Sequence, residues 1–189
     1  MARPIISLCF VALILAQGCA ATVLQANPRP NIDLPQNTAS FALALNESVQ
    51  DQYQTEILGK RAVNVSEWRQ TLQNGFDSGF GSAFNLAEGK ADLTLQVNEA
   101  VLSFAPTAVG NLGSVKAVEA QIRYKARLVD AQGQVLRRST GTVSSKKSIA
   151  EEEEATSAAA DAVESLYEKI SHDFFSDAPA PAAESSPAQ

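Results

Sequence analysis

Apolar side chains recur along this chain in blocks of two distinct periods, and the blocks mark out one folded unit spanning residues 39–176. Phe41, Leu43 and Leu45 alternate with Ala42 and Ala44, the period of a strand that turns its larger side chains to one face. Residues 46–64 are polar and contain Gly59-Lys60-Arg61, which fits either a long loop or a ragged hairpin. From Val65 the period lengthens. Trp68, Leu72, Phe76, Phe80 and Phe84 are each four residues apart and form one stripe on a helix, with Asn64 or Ser66 placed to cap its first turn. Gly75 and Gly79 lie within that helix, where small residues are expected to let it approach a sheet closely while the aromatics fill the core.

The period then returns to two. Leu93, Leu95 and Val97 alternate with Asp92, Thr94, Gln96 and Asn98, and the apolar phase shifts to Ala100, Leu102 and Phe104, which predicts a bulge near Asn98 and Glu99. Residues 105–114, with Pro106, Gly110 and Gly113, read as a loop. Ala120, Ile122, Tyr124, Ala126 and Leu128 then face one way while Gln121, Arg123, Lys125 and Arg127 face the other. Asp130-Ala131-Gln132-Gly133 has the chemistry of a short turn into a returning strand over residues 135–145. Ser148-Ile149-Ala150-Glu151 is a capping box opening a last helix, whose stripe is Ala155, Ala159, Ala162, Val163, Leu166, Ile170 and Phe174. The sum predicts an α+β, two-layer domain: a four-stranded, mainly antiparallel sheet with two helices on one face.

The flanks have a different composition. Residues 19–38 carry Pro28, Pro30 and Pro35 among Asn, Gln and Ala, and are expected to be an extended linker holding the domain off whatever the N-terminus is attached to. Residues 177–189 are Pro, Ala, Ser and Glu and read as a disordered tail. Residues 1–18 have the layout of a secretory signal: Arg3 is followed by a mostly apolar run over residues 5–15 and by the small Gly18. That run is too short to span a bilayer, which needs about 20 apolar residues.

Leu15-Ala16-Gln17-Gly18-Cys19 closes the signal on a cysteine and resembles the lipobox of bacterial prolipoproteins, although Leu15 stands one place early. The resemblance implies lipidation at Cys19 and a mature chain attached to a membrane through that residue. Ala20 after the cysteine, in place of Asp, implies by the same resemblance the outer membrane, facing the periplasm. The only other cysteine, Cys9, leaves with the signal, so stability is expected to come from a packed core without disulfides.

Candidate chemistry is sparse. There is one histidine, His172, with no Gly-x-Ser-x-Gly, no phosphate-binding glycine loop and no His or Cys pair at metal-ligand spacing. No catalytic residue, metal or cofactor is therefore assigned. The acidic run Glu151 to Glu154 reads as a solvated first turn matched to the helix dipole. Charge is unevenly spread: the chain is −6 overall, yet residues 116–147 sum to +6 and residues 148–189 to −9. If both helices cover the apolar face of the sheet, Arg123, Lys125 and Arg127 lie on its open face. There they are candidates to meet an anionic lipid or an acidic envelope protein, or serve only to keep a wet face soluble. Nucleic acid is not an expected partner for a chain exported from the cytoplasm.

The order strand, helix, strand, hairpin strands, helix behind a lipid anchor resembles several families of small outer-membrane lipoproteins. They are the lipopolysaccharide-assembly lipoprotein that plugs a β-barrel, the auxiliary lipoproteins of ABC-type lipid transport systems, and the YajG-like lipoproteins. The local likeness lies in Ile122 to Leu136, an alternating strand running into Leu128-Val129-Asp130-Ala131-Gln132-Gly133, and in the helix around Trp68 and Leu72. It implies a non-enzymatic binding or accessory component of an envelope transport or assembly system. The alternatives are a stand-alone structural or surface lipoprotein without a ligand and, further off, a periplasmic hydrolase.

Overall fold

The computed structural model describes residues 21–23, 25–57, 61–108, 116–146 and 154–176. The signal sequence, Cys19, the Ser148 to Glu151 capping box and the tail over residues 177–189 lie outside the described residues. In chain order the elements are β1 (Ala21–Val23), β2 (Ser40–Leu45), β3 (Tyr53–Ile57), β4 (Arg61–Val65), α1 (Trp68–Phe80), β5 (Asn85–Leu86), β6 (Leu93–Ala108), β7 (Lys116–Asp130), β8 (Val135–Ser144) and α2 (Ala155–Phe175).

These strands make two sheets, a five-stranded one in the order β5-β2-β6-β7-β8 and a three-stranded one in the order β1-β4-β3. The fold is α+β as expected, but the single four-stranded, mainly antiparallel sheet is corrected. β2 pairs in parallel with both β5 and β6, and only β6-β7-β8 is an antiparallel meander. The connection allows it: a parallel neighbour needs a crossover of a dozen or more residues, and β3, β4 and α1 between β2 and β6 supply one. The undecided stretch over residues 46–64 contains the antiparallel β3-β4 pair, which β1 joins in parallel.

Both helical stripes are buried. Trp68, Leu72, Phe76 and Phe80 from α1 and Ala159, Ala162, Val163, Leu166 and Ile170 from α2 are at most 1% exposed. Phe41 of β2 stands at the centre, its ring centroid 5.0 Å from Phe76, 5.3 Å from Phe80, 4.9 Å from Phe84 and 5.8 Å from Phe175. Polar atoms in this layer are satisfied from within. The Trp68 indole donates to the Ala100 carbonyl at 2.9 Å, Tyr167 donates to the Leu72 carbonyl at 2.8 Å, and the Tyr124 hydroxyl shares a 2.9 Å hydrogen bond with Ser139.

The start of α1 departs from the expected cap. Neither Asn64 nor Ser66 serves; Asp51, from the turn before β3, accepts from the Arg69 amide through its carboxylate (2.9 Å) and from the Trp68 amide through its carbonyl (3.2 Å). Glu67, just ahead of the helix, takes a left-handed φ of 54°. The Arg69 guanidinium completes the junction by donating to the carbonyls of Leu45, Asn46 and Val49, which tie the end of β2 to the helix start.

The largest correction concerns the linker. Over residues 25–34 it is extended, but it is packed as a strap over the two helices. Ala26, Pro28 and Pro30 are buried, Ile32 and Leu34 half-buried, and the residues between them are exposed. The Arg29 amide donates to Glu164 at 2.8 Å and the Asn31 amide to Glu168 at 3.1 Å, both on α2. Thr71, Asn74 and Ser78 of α1 bond the backbone of Ala26 and Pro28 at 2.6–3.1 Å. Gly75 and Gly79 make room for the strap. A Cβ at Gly75 would stand 2.7 Å from Val163 and 3.0 Å from Pro28, and one at Gly79 2.8 Å from Pro30 and 2.9 Å from Ile32. The glycines thus admit α2 and the strap, where close approach to a sheet was expected.

Candidate binding face

α2 packs on β7 and β8 from one side, and β7 alternates as its sequence predicts: Ala120, Ile122, Tyr124, Ala126 and Leu128 are buried while Arg123 and Lys125 are exposed and Arg127 half-buried. The three basic residues therefore share the face that the helices leave open. They are not three free cations. The bulge falls between Val97 and Glu99, where the register shifts, and it sets Glu99 opposite Lys125. The Glu99 carboxylate lies 2.7 Å from Arg123 Nε and 2.8 Å from Lys125 Nζ, while those two side chains stay 68% and 63% exposed. Its acidity is strengthened accordingly: the hydrogen bond from Lys125, together with the charges of Arg123 and Lys125, holds the carboxyl below the usual range.

Arg127 is held differently, its Nε donating to Gln96 Oε1 at 2.7 Å, and Arg138 of β8 stands opposite it in the register. Thr140 and Thr142 stand opposite Lys125 and Arg123. The face is thus a flat ladder of alternating donors and acceptors, with Val101, 37% exposed, as its large apolar element. The bulge was visible in the sequence, but Glu99 as the partner of two cations was missed, because the pairing depends on the register of two strands.

Other candidates are weaker. A groove of about 650 Å³ runs between the outer side of α1 and the segment after β5, lined by Gln70, Gln73, Asp77, Leu43, Leu86 and Glu88. Gln73 is engaged with Asp77 at 2.8 Å and Gln70 with Asn74 at 2.9 Å, so much of its donor set is satisfied along α1 itself. His172 is on the outside of α2, 3.7 Å from Asp173. Among the described residues no group of three or more His, Cys, Asp or Glu side chains could hold a metal ion, and no helix is long and apolar enough to cross a membrane.

No family model matches the sequence, and no curated protein matches it. Among solved structures, a minor lipoprotein from Acinetobacter baumannii aligns with 74% of this chain and 92% of its own at 13% identity and a TM-score of 0.46. A protein from Xanthomonas campestris aligns with 76% of this chain and 86% of its own at 14% identity and a TM-score of 0.43. An uncharacterized lipoprotein B from Nitrosomonas europaea aligns with 73% of this chain and 85% of its own at 14% identity and a TM-score of 0.41. Likenesses of this size leave both fold and function to be argued from the chain's own residues.

Proposed function

We propose that this chain is a lipid-anchored protein of the outer membrane, facing the periplasm, that acts without catalysis as a binding or accessory component of an envelope transport or assembly system. The observation that carries the reading is Leu15-Ala16-Gln17-Gly18-Cys19, an apolar signal ending on a cysteine that stands two residues ahead of the first strand of the fold. The binding surface in this reading is the open face of the five-stranded sheet. The opposite face is filled by α1 and α2, and the groove between the helices is occupied by the strap, so a partner has the charged ladder to meet. Arg123, Lys125, Arg127 and Arg138 outnumber Glu99 and Glu119 there, which favours an acidic protein or an anionic lipid headgroup.

Attachment gives the direct test. Each buried methylene contributes about 0.8 kcal/mol, so several acyl chains on one cysteine hold a protein to a bilayer where a single chain holds it marginally. Cys19→Ala is expected to release the protein into the soluble periplasmic fraction while the wild type stays with membranes through a high-salt wash. Membrane recovery of the variant at wild-type levels overturns the anchor and the function built on it.

A further inference from the structure

A lipoprotein with a long linker hangs from its membrane, and residues 19–38 would span roughly 60 Å if extended at about 3.3 Å per residue. The strap removes that reach. Residues 25–34 are bonded to α1 and α2, and β1 is already part of the three-stranded sheet at Ala21, two residues after Cys19. Two extended residues cover at most about 7 Å between Cα atoms, so the lipid-bearing sulfur, two bonds beyond the Cys19 Cα, cannot reach far from the fold.

The end of the molecule concerned is fixed by the direction of the strands. The strap passes Glu164 with Arg29 and Glu168 with Asn31, so it runs from the start of α2 toward its end. Traced backward, it brings β1 to the end where α2 begins, and β1 and α2 are in contact. The far end of α2 is at Phe175, beside Phe41, which pairs with Leu93 at the start of β6. β6 therefore runs toward the β1 end. Its ladder with β7 continues to Ala108 opposite Lys116, well past Val97, the last partner of β2, and past Gln121, the last partner of β8. The β6-β7 ladder thus projects at the same end from which the chain leaves toward Cys19. Among the described residues at the tip of the ladder, Phe104 to Ala108 carry no charge and Lys116, opposite Ala108, is the one cation, a group that headgroup phosphates can accept without its being drawn into the apolar layer.

We propose that the end formed by β1 and the projecting β6-β7 ladder rests on the lipid headgroup layer, so that the domain sits flush with the membrane and turns its Asp130–Gln134 turn away from it. The inference rests on acylation of Cys19. The acyl chains on Cys19 supply the attachment, so the contact needs no anionic lipid. The charged ladder then stands roughly upright to the membrane, open to a partner moving alongside it.

The test uses full-length protein, processed in cells, extracted from membranes and returned to phosphatidylethanolamine vesicles with and without phosphatidylglycerol. Cys9 leaves with the signal and the Cys19 thiol is consumed by the lipid, so Thr107→Cys or Gln132→Cys supplies a single site for a fluorophore. With nitroxide-headgroup lipid as quencher, the label at residue 107 is expected to lose most of its intensity in both vesicle types, and the label at residue 132 to keep its detergent-free, quencher-free value. Equal quenching at the two positions, or none at residue 107, with acyl mass confirmed on the peptide beginning at Cys19, overturns the flush arrangement alone. A peptide without acyl mass overturns the anchor itself.

Discussion

The two faces of the five-stranded sheet begin from the same backbone and are finished in opposite ways. On one, Phe41, Tyr124, Ile122 and Leu95 meet two helices, and the helices in turn are overlaid by the strap, so three layers exclude water from the sheet. On the other, Glu99, Arg123, Lys125, Gln96 and Arg127 form a single layer of cross-strand contacts in solvent. Burial of apolar area stabilises in proportion to the area covered, whereas exposed ion pairs contribute little. The closed face therefore carries stability, and the open face is free to be shaped by recognition.

The strongest test of this division is in the aromatic cluster. Phe76 is 1% exposed and touches the rings of Phe41, Phe80 and Tyr167. Phe76→Ala is expected to lower the unfolding free energy by about 3 to 5 kcal/mol, read from the denaturant midpoint at unchanged slope. An unchanged midpoint would mean that the helix stripe does not hold the closed face together.

The strap is the intermediate case, because it belongs to the closed side but is only one chain thick. Gly79→Val places a branched side chain where a Cβ alone already comes within 2.8 Å of Pro30 and 2.9 Å of Ile32. Overpacking of this kind costs about 1 to 3 kcal/mol. The cost is expected to be met locally, by lifting the strap and leaving the helices in place. Amide hydrogen exchange checks it: Arg29 and Asn31, which donate to Glu164 and Glu168, lose protection while α1 and α2 keep theirs. Retained protection at those two amides, with normal folding, would show that the glycines are not what seats the strap.

What was legible in the sequence divides along the same lines. The stripe from Trp68 to Phe80 and the alternation from Ala120 to Leu128 were legible because the period of a single element decides which of its sides is buried. The bulge at Val97 and Glu99 showed as a phase shift. The strap is hidden by its polar composition, although Ala26, Pro28, Pro30, Ile32 and Leu34 alternate with Asn27, Arg29, Asn31 and Asp33. Its prolines suggest stiffness alone, yet Pro28 and Pro30 also bury apolar surface in a segment that needs no ladder amides. β1 and β5 are three and two residues long, too short to show a period. The parallel pairing of β2 with β6 and the contact of Glu99 with Arg123 and Lys125 depend on long-range register, which no local pattern encodes.

The smallest effect is expected on the open face, where the change in recognition should exceed the change in stability. Replacing Arg123, Lys125 and Arg127 together by Gln removes both cations from Glu99, and exposed pairs of this kind are worth about 0 to 1 kcal/mol each. The pH dependence has a definite sign. The Glu99 carboxyl sits below its ordinary range in the folded protein, chiefly through the hydrogen bond from Lys125, so its contribution is present above the unfolded carboxylate pKa and is lost as pH falls through the folded value. The stability difference between wild type and triple variant should therefore be seen at neutral pH and fade on acidification. Recovery of envelope proteins on the immobilised domain, compared at low salt and well above 0.1 M, where the Debye length falls below about 10 Å, reads the other half. The wild type should lose partners with salt, and the variant should lack the same partners at low salt. Identical recovery in all four conditions, with a stability difference that follows pH as described, would leave the ladder as a device that keeps an open sheet soluble and would move the binding surface elsewhere on the domain.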